Sequence, residues 1–283
     1  MARRMTPSND LLELKNRIDK TEERVAIFYI DESWLNLEGK KHLILGGITT
    51  QDTCETALKV VKLKEIFGLG PFDEVKWNMK SLTQEQRNKL SVGIIGILTA
   101  DCTALISIVE GEDRQKASEV MGLQVFDFCN HHHIPAFILY LDQGLVPKLE
   151  IFEEFLRTKL PIGSKFIGIQ SLVSSKDQII QCCDIFVGLC RLAILHELIK
   201  INKIIRVYDE EFKEGIEWHL KDFILLSTRY LLWGKTSFEE FERKGMPYKR
   251  SMNLGFRLES TISKETQHIL EEKIATVYMG CMH

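Results

Sequence analysis

The sequence predicts an α/β fold, in which helices cover a mixed β-sheet and a mainly helical extension follows at the C-terminal end. Apolar, β-branched runs alternate with longer stretches whose apolar residues have helical spacing. Glycine, proline and asparagine separate these segments, as is typical of the loops between strands and helices. The length of 283 residues suits one large domain with an appendage, or two small domains.

Five apolar runs predict the strands, and the stretches between them predict the helices. A loop with Asn36 and Gly39 is expected between the first two strands. Thr83 should cap the second helix, since Gln86 stands at the capping-box position three residues later. The predicted strands are 25–30, 42–49, 102–109, 134–141 and 165–173, and the predicted helices are 52–67, 84–98, 113–130, 145–158 and 176–199.

With the two helices between the second and third strands treated as an insertion, the element order is β-β-β-α-β-α-β-α. This is the order of a ribonuclease-H-like domain, in which the first and fourth strands are parallel neighbours. We therefore expect an N-terminal arm over 1–24, a ribonuclease-H-like domain over 25–199 and a helical extension over 200–283. The extension is predicted to contain helices near 214–233 and 263–277.

Three aspartates occupy positions that this topology would bring together. Asp31 ends the first strand, Asp142 ends the fourth, and Asp184 lies in the long apolar helix after the fifth. Adjacent strands are about 4.8 Å apart, so Asp31 and Asp142 should share one site. Buried carboxylates are unfavourable unless paired, protonated or bound to a cation, so a Mg²⁺ or Mn²⁺ site is expected. Each acid alone also fits a turn or a helix cap.

A polar stripe marks one face of the long apolar helix. Asp177, Gln181, Asp184 and Gly188 follow each other at steps of four, three and four residues. The other positions of this stretch are nearly all apolar, so the stripe requires a polar partner. Gly188 would let another backbone or a ligand approach closely. A buried hydrogen-bond network between helix and sheet is the alternative to a metal site.

Gly68, Gly70 and Pro71 end the predicted helix 52–67, and the loop that follows carries Glu74-Val75-Lys76-Trp77. Glu74 and Lys76 point the same way if this segment is extended. They would then supply a metal ligand and a phosphate contact. A surface ion pair with Trp77 as its hydrophobic anchor is the alternative.

Basic and aromatic residues are interleaved in the C-terminal extension. Such a pattern suits a single strand or a distorted duplex, because phosphates need cations and bases stack on rings. Lys249, Arg250 and Arg257 are the candidate phosphate contacts. Glutamates over 239–242 dilute this charge, and a solvated surface segment fits the pattern equally well. The net charge of −3 excludes a global basic field, so any nucleic-acid surface must be a local patch.

The seven cysteines form no CxxC pair and their number is odd, which indicates a reduced, cytoplasmic protein. Cys129 stands close to His131, His132 and His133, but zinc sites usually need a second ligand pair, so a polar helix end is favoured. No uninterrupted apolar stretch reaches the about 20 residues of a membrane span. The polar start of the chain does not fit a signal peptide.

Four segments together resemble the domain of unknown function 3800 family, over about 25–197. Two positions depart from its pattern: Trp34 stands where the family usually has glycine, and Cys183 where alanine is usual. Trp34 would either crowd the access of the metal or give a stacking surface. The four segments are Phe28-Tyr29-Ile30-Asp31-Glu32-Ser33, Leu45-Gly46-Gly47-Ile48, Glu74-Val75-Lys76-Trp77, and Ser175-Lys176 with Gln181-Cys182-Cys183-Asp184-Ile185-Phe186-Val187-Gly188.

The resemblance implies a ribonuclease-H-like fold that is common in bacteria, phages and mobile elements, often near defence genes. It also implies a set of site residues. The expected ligands of two Mg²⁺ or Mn²⁺ ions are Asp31, Glu32, Glu74, Asp142 and Asp184. Lys76 is expected to steady the scissile phosphate, and Gln181 to support the ligands from behind.

The expected function is metal-dependent hydrolysis of phosphodiester bonds in nucleic acid, with two ions activating a water and stabilising the leaving oxygen. Two alternatives stay open. One is a non-catalytic nucleic-acid-binding or regulatory subunit with the same fold, and the other is a nucleotidyl- or strand-transferase with the same metal site. The acids should converge in an enzyme, whereas arginine or lysine should tie them up in a structural role. Nucleic acid is the expected partner and a membrane is not, while a second copy or a partner protein stays open.

Overall fold

A computed structural model gives the fold of residues 25–76 and 79–199, together with four shorter segments further along the chain. These segments are 204–207, 216–219, 255–259 and 261–270. The predicted N-terminal arm over 1–24 lies outside the described residues, and so does most of the predicted C-terminal extension.

The strands of the described residues are β1 (Val25–Leu37), β2 (Lys40–Thr50), β3 (Cys102–Glu110), β4 (Ala136–Asp142), β5 (Lys165–Leu172), β6 (Ile204–Val207), β7 (Ile216–His219) and β8 (Phe256–Leu258). Six of them form one mixed sheet in the order β5-β4-β1-β2-β3-β8. β1 is antiparallel to β2 and parallel to β4, and β4 is parallel to β5. β3 is antiparallel to β2 and parallel to β8. The α/β class and the mixed sheet are as predicted.

The helices of the described residues are α1 (Thr53–Ile66), α2 (Gln84–Asp101), α3 (Arg114–His131), α4 (Leu149–Lys159), α5 (Gln178–Ile199) and α6 (Lys264–Leu270). α3 and α4 pack on one face of the sheet, whereas α1, α2 and α5 pack on the other. Side chains of β1 alternate between the two faces: Phe28 and Ile30 contact the α3 side, and Tyr29 contacts the α5 side. Every second residue of β1 therefore faces α5.

The predicted elements between 25 and 199 are present, with ends that shift by a few residues. The capping box forms as expected, because the Gln86 N–H donates to Thr83 Oγ1 at 3.2 Å and the Thr83 N–H donates to Gln86 Oε1 at 2.9 Å. These elements are set by local spacing and capping, which a sequence displays directly.

β1 is longer than predicted, and the prediction of a loop directly after residue 30 is wrong. The strand continues as a hairpin with β2, which closes at Glu38 and Gly39. Asn36 lies in the strand, while Gly39 takes the positive φ of 76° that the turn requires. Pairing with β2 keeps the polar residues after 30 extended, because strand formation depends on cross-strand neighbours more than on residue type.

The described parts of the C-terminal region contain more strand than predicted. Ile216–His219 forms β7, antiparallel to β6, where the sequence predicts a helix over 214–233. β8 extends the central sheet and was not predicted. The second predicted helix is present over Lys264–Leu270, and its remainder lies beyond the described residues. The described segments of the extension thus contain three short strands and one helix, because helical spacing does not report pairing with a distant strand. The mainly helical character of the whole extension stays a prediction.

One helix of the described residues is long and apolar enough to cross a membrane, by length and composition. It is the segment Gln178–Leu195 of α5, whose mean hydropathy is 1.7. However, 67% of this segment is buried inside the protein, where it packs on the sheet. The core helix of a soluble protein has the same properties, and the burial of α5 is consistent with that class.

Candidate metal centre

Asp31 and Asp142 lie side by side where the parallel pairing of β1 and β4 ends. The last paired residues directly precede the two aspartates, so the predicted placement on adjacent parallel strands is confirmed. Tyr29 and Tyr140, two positions earlier on each strand, contact each other with ring centroids 5.3 Å apart on the α5 side. Because side chains two positions apart share a face, both aspartates also face α5.

Helix α5 brings Asp184 to the same face of the sheet. Cys183 Sγ lies 3.2 Å from the carbonyl oxygen of Tyr29 and 3.3 Å from that of Gly46, so the helix touches β1 and β2 directly. This approach depends on Gly46, since a Cβ atom there would lie 2.2 Å from Val187 Cγ2. The absence of a side chain at Gly46 therefore fixes the distance between α5 and the sheet.

Among the described residues no other backbone approaches Gly188 closely, and the approach of a ligand there stays a prediction. A Cβ atom at Gly188 would have no described atom within 4 Å. The close contact between α5 and the sheet lies at Gly46 on the strand, not at Gly188 on the helix. A helical pattern identifies the face of α5 but does not show which of two glycines the packing needs.

The three aspartates act on one another electrostatically. Burial raises the pKa of Asp31 to about 8, and the negative charges of Asp184 and Asp142 add to the increase. Burial also raises the pKa of Asp142 and of Asp184, while the positive charge of Lys76 lowers both. Asp31 is only 6% exposed, and its carboxylate accepts the backbone N–H of Glu32 at 2.6 Å. The fold thus places three acids within range of one another's charges, where their ionised forms are unfavourable.

Glu74 and Lys76 lie beside the aspartates. Lys76 Nζ is 3.2 Å from Glu74 Oε1, and Ser174 Oγ donates to the same oxygen at 3.0 Å. The bond to Glu74 raises the pKa of Lys76, and the negative charges of Asp184 and Asp142 add to this increase. Both residues are therefore near the site, and the ion pair of the alternative prediction is present too. Trp77, its expected anchor, lies outside the described residues.

Glu32 and Trp34 face the opposite side of the sheet from Asp31. Glu32 forms an ion pair with Arg114 at the start of α3, and the guanidinium carbon of Arg114 lies 5.8 Å from the centre of the Trp34 ring. Strand alternation is the reason, since successive side chains point to opposite faces. Burial raises the pKa of Glu32, with a smaller contribution from Asp142. Glu32 lies within range of the charges of Asp31 and Asp142, but Arg114 pairs with its carboxylate on the other face of the sheet. Trp34 packs on Arg114 rather than crowding the aspartates.

Gln181 is buried behind the loop that carries Glu74. Its Oε1 accepts the N–H of Val75 and the ammonium of Lys64, both at 3.2 Å, and its Nε2 donates to the Ser174 carbonyl at 2.8 Å. This buried network links α5 to α1 and to the loop, whereas the alternative prediction expected a network between the helix and the sheet. Gln181 therefore fixes the two segments that position Glu74.

Asp177, the first residue of the polar stripe, has a structural role at the start of α5. Its Oδ1 accepts the backbone N–H of Ile179 at 2.9 Å and that of Ile180 at 3.0 Å. These bonds satisfy N–H groups that lack a partner within the helix. The stripe thus combines a helix cap, a supporting amide and one acid of the site.

Sequence reasoning missed Arg114, Ser174 and Lys64. Lys64 was visible, because it occupies an apolar position in the helical pattern of 52–67. Arg114 directly follows the N-cap Asp113 of α3, and no local pattern links it to Glu32. Ser174 lies in the short turn between β5 and α5, where serine is common and carries little information.

Of the predicted nucleic-acid contacts, Arg257 is the one that the structure describes, and it is not brought to the aspartates. Arg257 lies on β8, which β2 and β3 separate from β1, and it pairs with Asp127 at 3.7 Å. Lys249 and Arg250 lie outside the described residues.

The zinc alternative gains no support from the structure. Cys129 is fully buried in the core, whereas His131, His132 and His133 are exposed at the end of α3. The His132 ring packs on Phe128, with ring centroids 4.3 Å apart. The arrangement is the polar helix end that the sequence favoured.

The donor set of the three aspartates fits a hard divalent cation. Carboxylate oxygens are the ligands that Mg²⁺ and Mn²⁺ prefer, and a bound cation relieves repulsion between neighbouring acids. In the part of the chain that the structure describes, no three His, Cys, Asp or Glu side chains stand together as metal ligands. The chemistry of the residues suits these ions, and their side chains would have to converge on binding.

Fold and site together define an α/β protein with a mixed six-stranded sheet and a group of partly buried acids where two parallel strands part. No family model matches the chain, and no curated protein matches it.

Proposed function

We propose that this protein is a metal-dependent nuclease that hydrolyses phosphodiester bonds in nucleic acid. The observation that carries the proposal is the burial of Asp31 beside Asp142 and Asp184, which raises its pKa to about 8. Collecting buried acids without a matching cation opposes folding, and strongly perturbed pKa values cluster at functional sites. A catalytic metal site accounts for this arrangement.

Membership of the ribonuclease-H-like proteins, and of the domain of unknown function 3800 family that the sequence resembles, belongs to the same proposal. The strand order β5-β4-β1-β2-β3 supports it, because three antiparallel strands are followed by two parallel ones. A cytoplasmic location goes with it. The six described cysteines are free thiols, which suits a reducing compartment. Defence against phages or mobile elements is the context that the resemblance suggests.

Each residue of the site has a role in this proposal. Asp31, Asp142 and Asp184 would hold two Mg²⁺ or Mn²⁺ ions, which when bound activate a water and stabilise the leaving oxygen. Lys76 presents an exposed ammonium beside these acids, where it would contact a phosphate of the substrate. Glu74 is the remaining carboxylate near the site. Glu32 is left out of the ligand set, because Arg114 already pairs with it.

Proton release accompanies the binding of a cation to these residues. With a pKa of about 8, the Asp31 carboxyl holds a proton through most of the neutral range. Only the ionised carboxylate is a ligand, so the proton must leave when a cation binds. Metal affinity should therefore increase with pH up to about pH 8.

A non-catalytic nucleic-acid-binding or regulatory subunit is the alternative, and one observation favours it. Glu74 is engaged by Lys76 and Ser174, and Glu32 is engaged by Arg114. Acids tied to cations in this way suit a structural role. Among the residues that the structure describes, none of the three aspartates forms an ion pair with arginine or lysine, which is why the enzyme is the proposal that we favour.

Cleavage assays with Mn²⁺ on single- and double-stranded RNA and DNA test the proposal. We expect the wild type to cleave at least one substrate and Asp31→Asn to lose more than about 100-fold in rate, as removal of a metal ligand should. Asp127→Asn is the matched control, since Asp127 pairs with Arg257 outside the site. A wild type that binds nucleic acid without cleaving it would support the non-catalytic alternative instead.

A further inference from the structure

Lys64, in the last turn of α1, is a fully buried lysine that the proposed reaction does not use. Its ammonium donates to the Pro71 carbonyl and to Gln178 Oε1, both at 3.0 Å, and to Gln181 Oε1 at 3.2 Å. A lysine has three N–H donors, and these bonds use all of them. Each of the three acceptors is neutral.

The stability of the fold does not explain such a group. A buried ammonium loses its hydration, and neutral acceptors compensate for that loss less well than a carboxylate does. Burial accordingly lowers the pKa of Lys64, although the negative charge of Asp73 acts in the opposite direction. A methionine would fill the same space without this penalty. The hydrogen bonds of Lys64 therefore point to a positional role.

The acceptors of Lys64 join α1 and α5 to the loop 71–76. Gln178 Nε2 donates to the Pro71 carbonyl at 2.6 Å, so Lys64 and α5 hold the same carbonyl. Gln181 Oε1 receives the Lys64 ammonium and also accepts the N–H of Val75. The Lys64 ammonium is thus bound to the loop directly at the Pro71 carbonyl, and through Gln181 at the Val75 N–H near the other end of the loop.

This attachment reaches the charged residues of the site. Val75 lies between Glu74 and Lys76, so a bond at its N–H restricts both neighbours. Gln181 also holds the Ser174 carbonyl at 2.8 Å, and the Ser174 hydroxyl in turn donates to Glu74. An unbroken series of hydrogen bonds therefore runs from the Lys64 ammonium to the Glu74 carboxylate.

We propose that Lys64 is a positioning residue, whose buried ammonium fixes the loop 71–76 on α5 and so places Glu74 and Lys76 beside the aspartates. The inference rests on the proposed function, because it gives these two residues a part in the nuclease site. Lys64 acts through Gln181 and the loop, and it touches neither substrate nor cation.

The test compares Lys64→Met with Lys59→Met by amide hydrogen exchange and by nuclease assay. Lys59 lies on the same helix but pairs with Asp101 at 2.8 Å near the surface, so its replacement removes the same charge without touching the loop. In Lys64→Met we expect the Val75 amide to exchange about tenfold faster or more, while the amides of β1 and β4 keep their protection. We also expect kcat to fall about tenfold or more with KM changed less than about threefold. Lys59→Met should leave both measurements at the wild-type value.

Two results would overturn the proposal. One is a Val75 amide that exchanges at the wild-type rate in Lys64→Met, and the other is faster exchange throughout the protein, which indicates a purely structural lysine. Lys64→Gln, which keeps a polar group but lacks the charge, takes the place of Lys64→Met if that variant does not fold. A wild type without cleavage activity would refute the proposed function separately, and the exchange data would still decide whether Lys64 holds the loop.

Discussion

Replacing Asp31 with asparagine should stabilise the metal-free protein at neutral and higher pH. The fold raises the pKa of Asp31 from 3.8 to about 8. Since the folded-state pKa lies above the unfolded one, the contribution of this carboxyl to stability is fully present below about pH 4 and is lost as the pH rises through 8. Asparagine has no proton to lose, so the variant should escape that loss.

The magnitude follows from the size of the pKa increase. One pKa unit corresponds to about 1.4 kcal/mol. Between about pH 4 and pH 7 the wild type should therefore lose up to about 4 kcal/mol of unfolding free energy that Asp31→Asn retains, and up to about 6 kcal/mol by pH 9. The asparagine oxygen can still accept the N–H of Glu32, so this donor is not left without a partner.

Denaturant unfolding in chelator, at about pH 5, 7 and 9, measures this difference. Saturating Mn²⁺ should reverse the order of stabilities, because the cation stabilises the protein that binds it more tightly. An Asp31→Asn protein that is less stable than the wild type in chelator, or a difference that does not change with pH, would refute the reasoning and leave Asp31 as a hydrogen-bonded structural acid.

Three further predictions concern the surroundings of the aspartates. Asp184→Asn should weaken Mn²⁺ binding more than about tenfold in calorimetry, without any requirement for zinc; equal binding by both proteins would count against the site. Gly46→Ala should lower the unfolding free energy by about 1–3 kcal/mol in denaturant, because the added methyl group meets Val187; unchanged stability would mean that α5 shifts freely. Arg257→Ala should leave the salt dependence of nucleic-acid binding unchanged in titrations, because Arg257 pairs with Asp127; a flatter dependence would return Arg257 to the phosphate contacts.

The parts of the site that the sequence predicts are those set by local pattern. Apolar runs that end in Asp31 and Asp142, together with the order of elements, were enough to place these acids on neighbouring parallel strands. The face of Glu32 was not predictable in the same way, because it depends on the continuation of β1 as a partner of β2. Local spacing carries no information about that pairing.

Contacts between distant parts of the chain account for what the sequence did not predict. Lys64 and Gln181 are 117 residues apart, and no periodicity connects them. β8 joins the sheet beside β3, where the Glu259 carboxylate accepts the N–H of Glu110 across 149 residues. Register and pairing of this kind are properties of the folded sheet, which single-segment patterns do not encode.

The segment between β2 and β3, which the sequence presents as an insertion, has a consequence for how such a protein can diversify. Lys64, Glu74 and Lys76 all come from it, whereas the three aspartates come from the sheet and α5. A shortened chain without the segment would keep Asp31, Asp142 and Asp184 in its sequence, and it would lose Lys76, which lies beside them. In the proposed nuclease, changes in the segment between β2 and β3 would alter which substrate is held, while the carboxylates that perform the proposed chemistry stay in place. Reaction and recognition would then evolve at different rates within one domain.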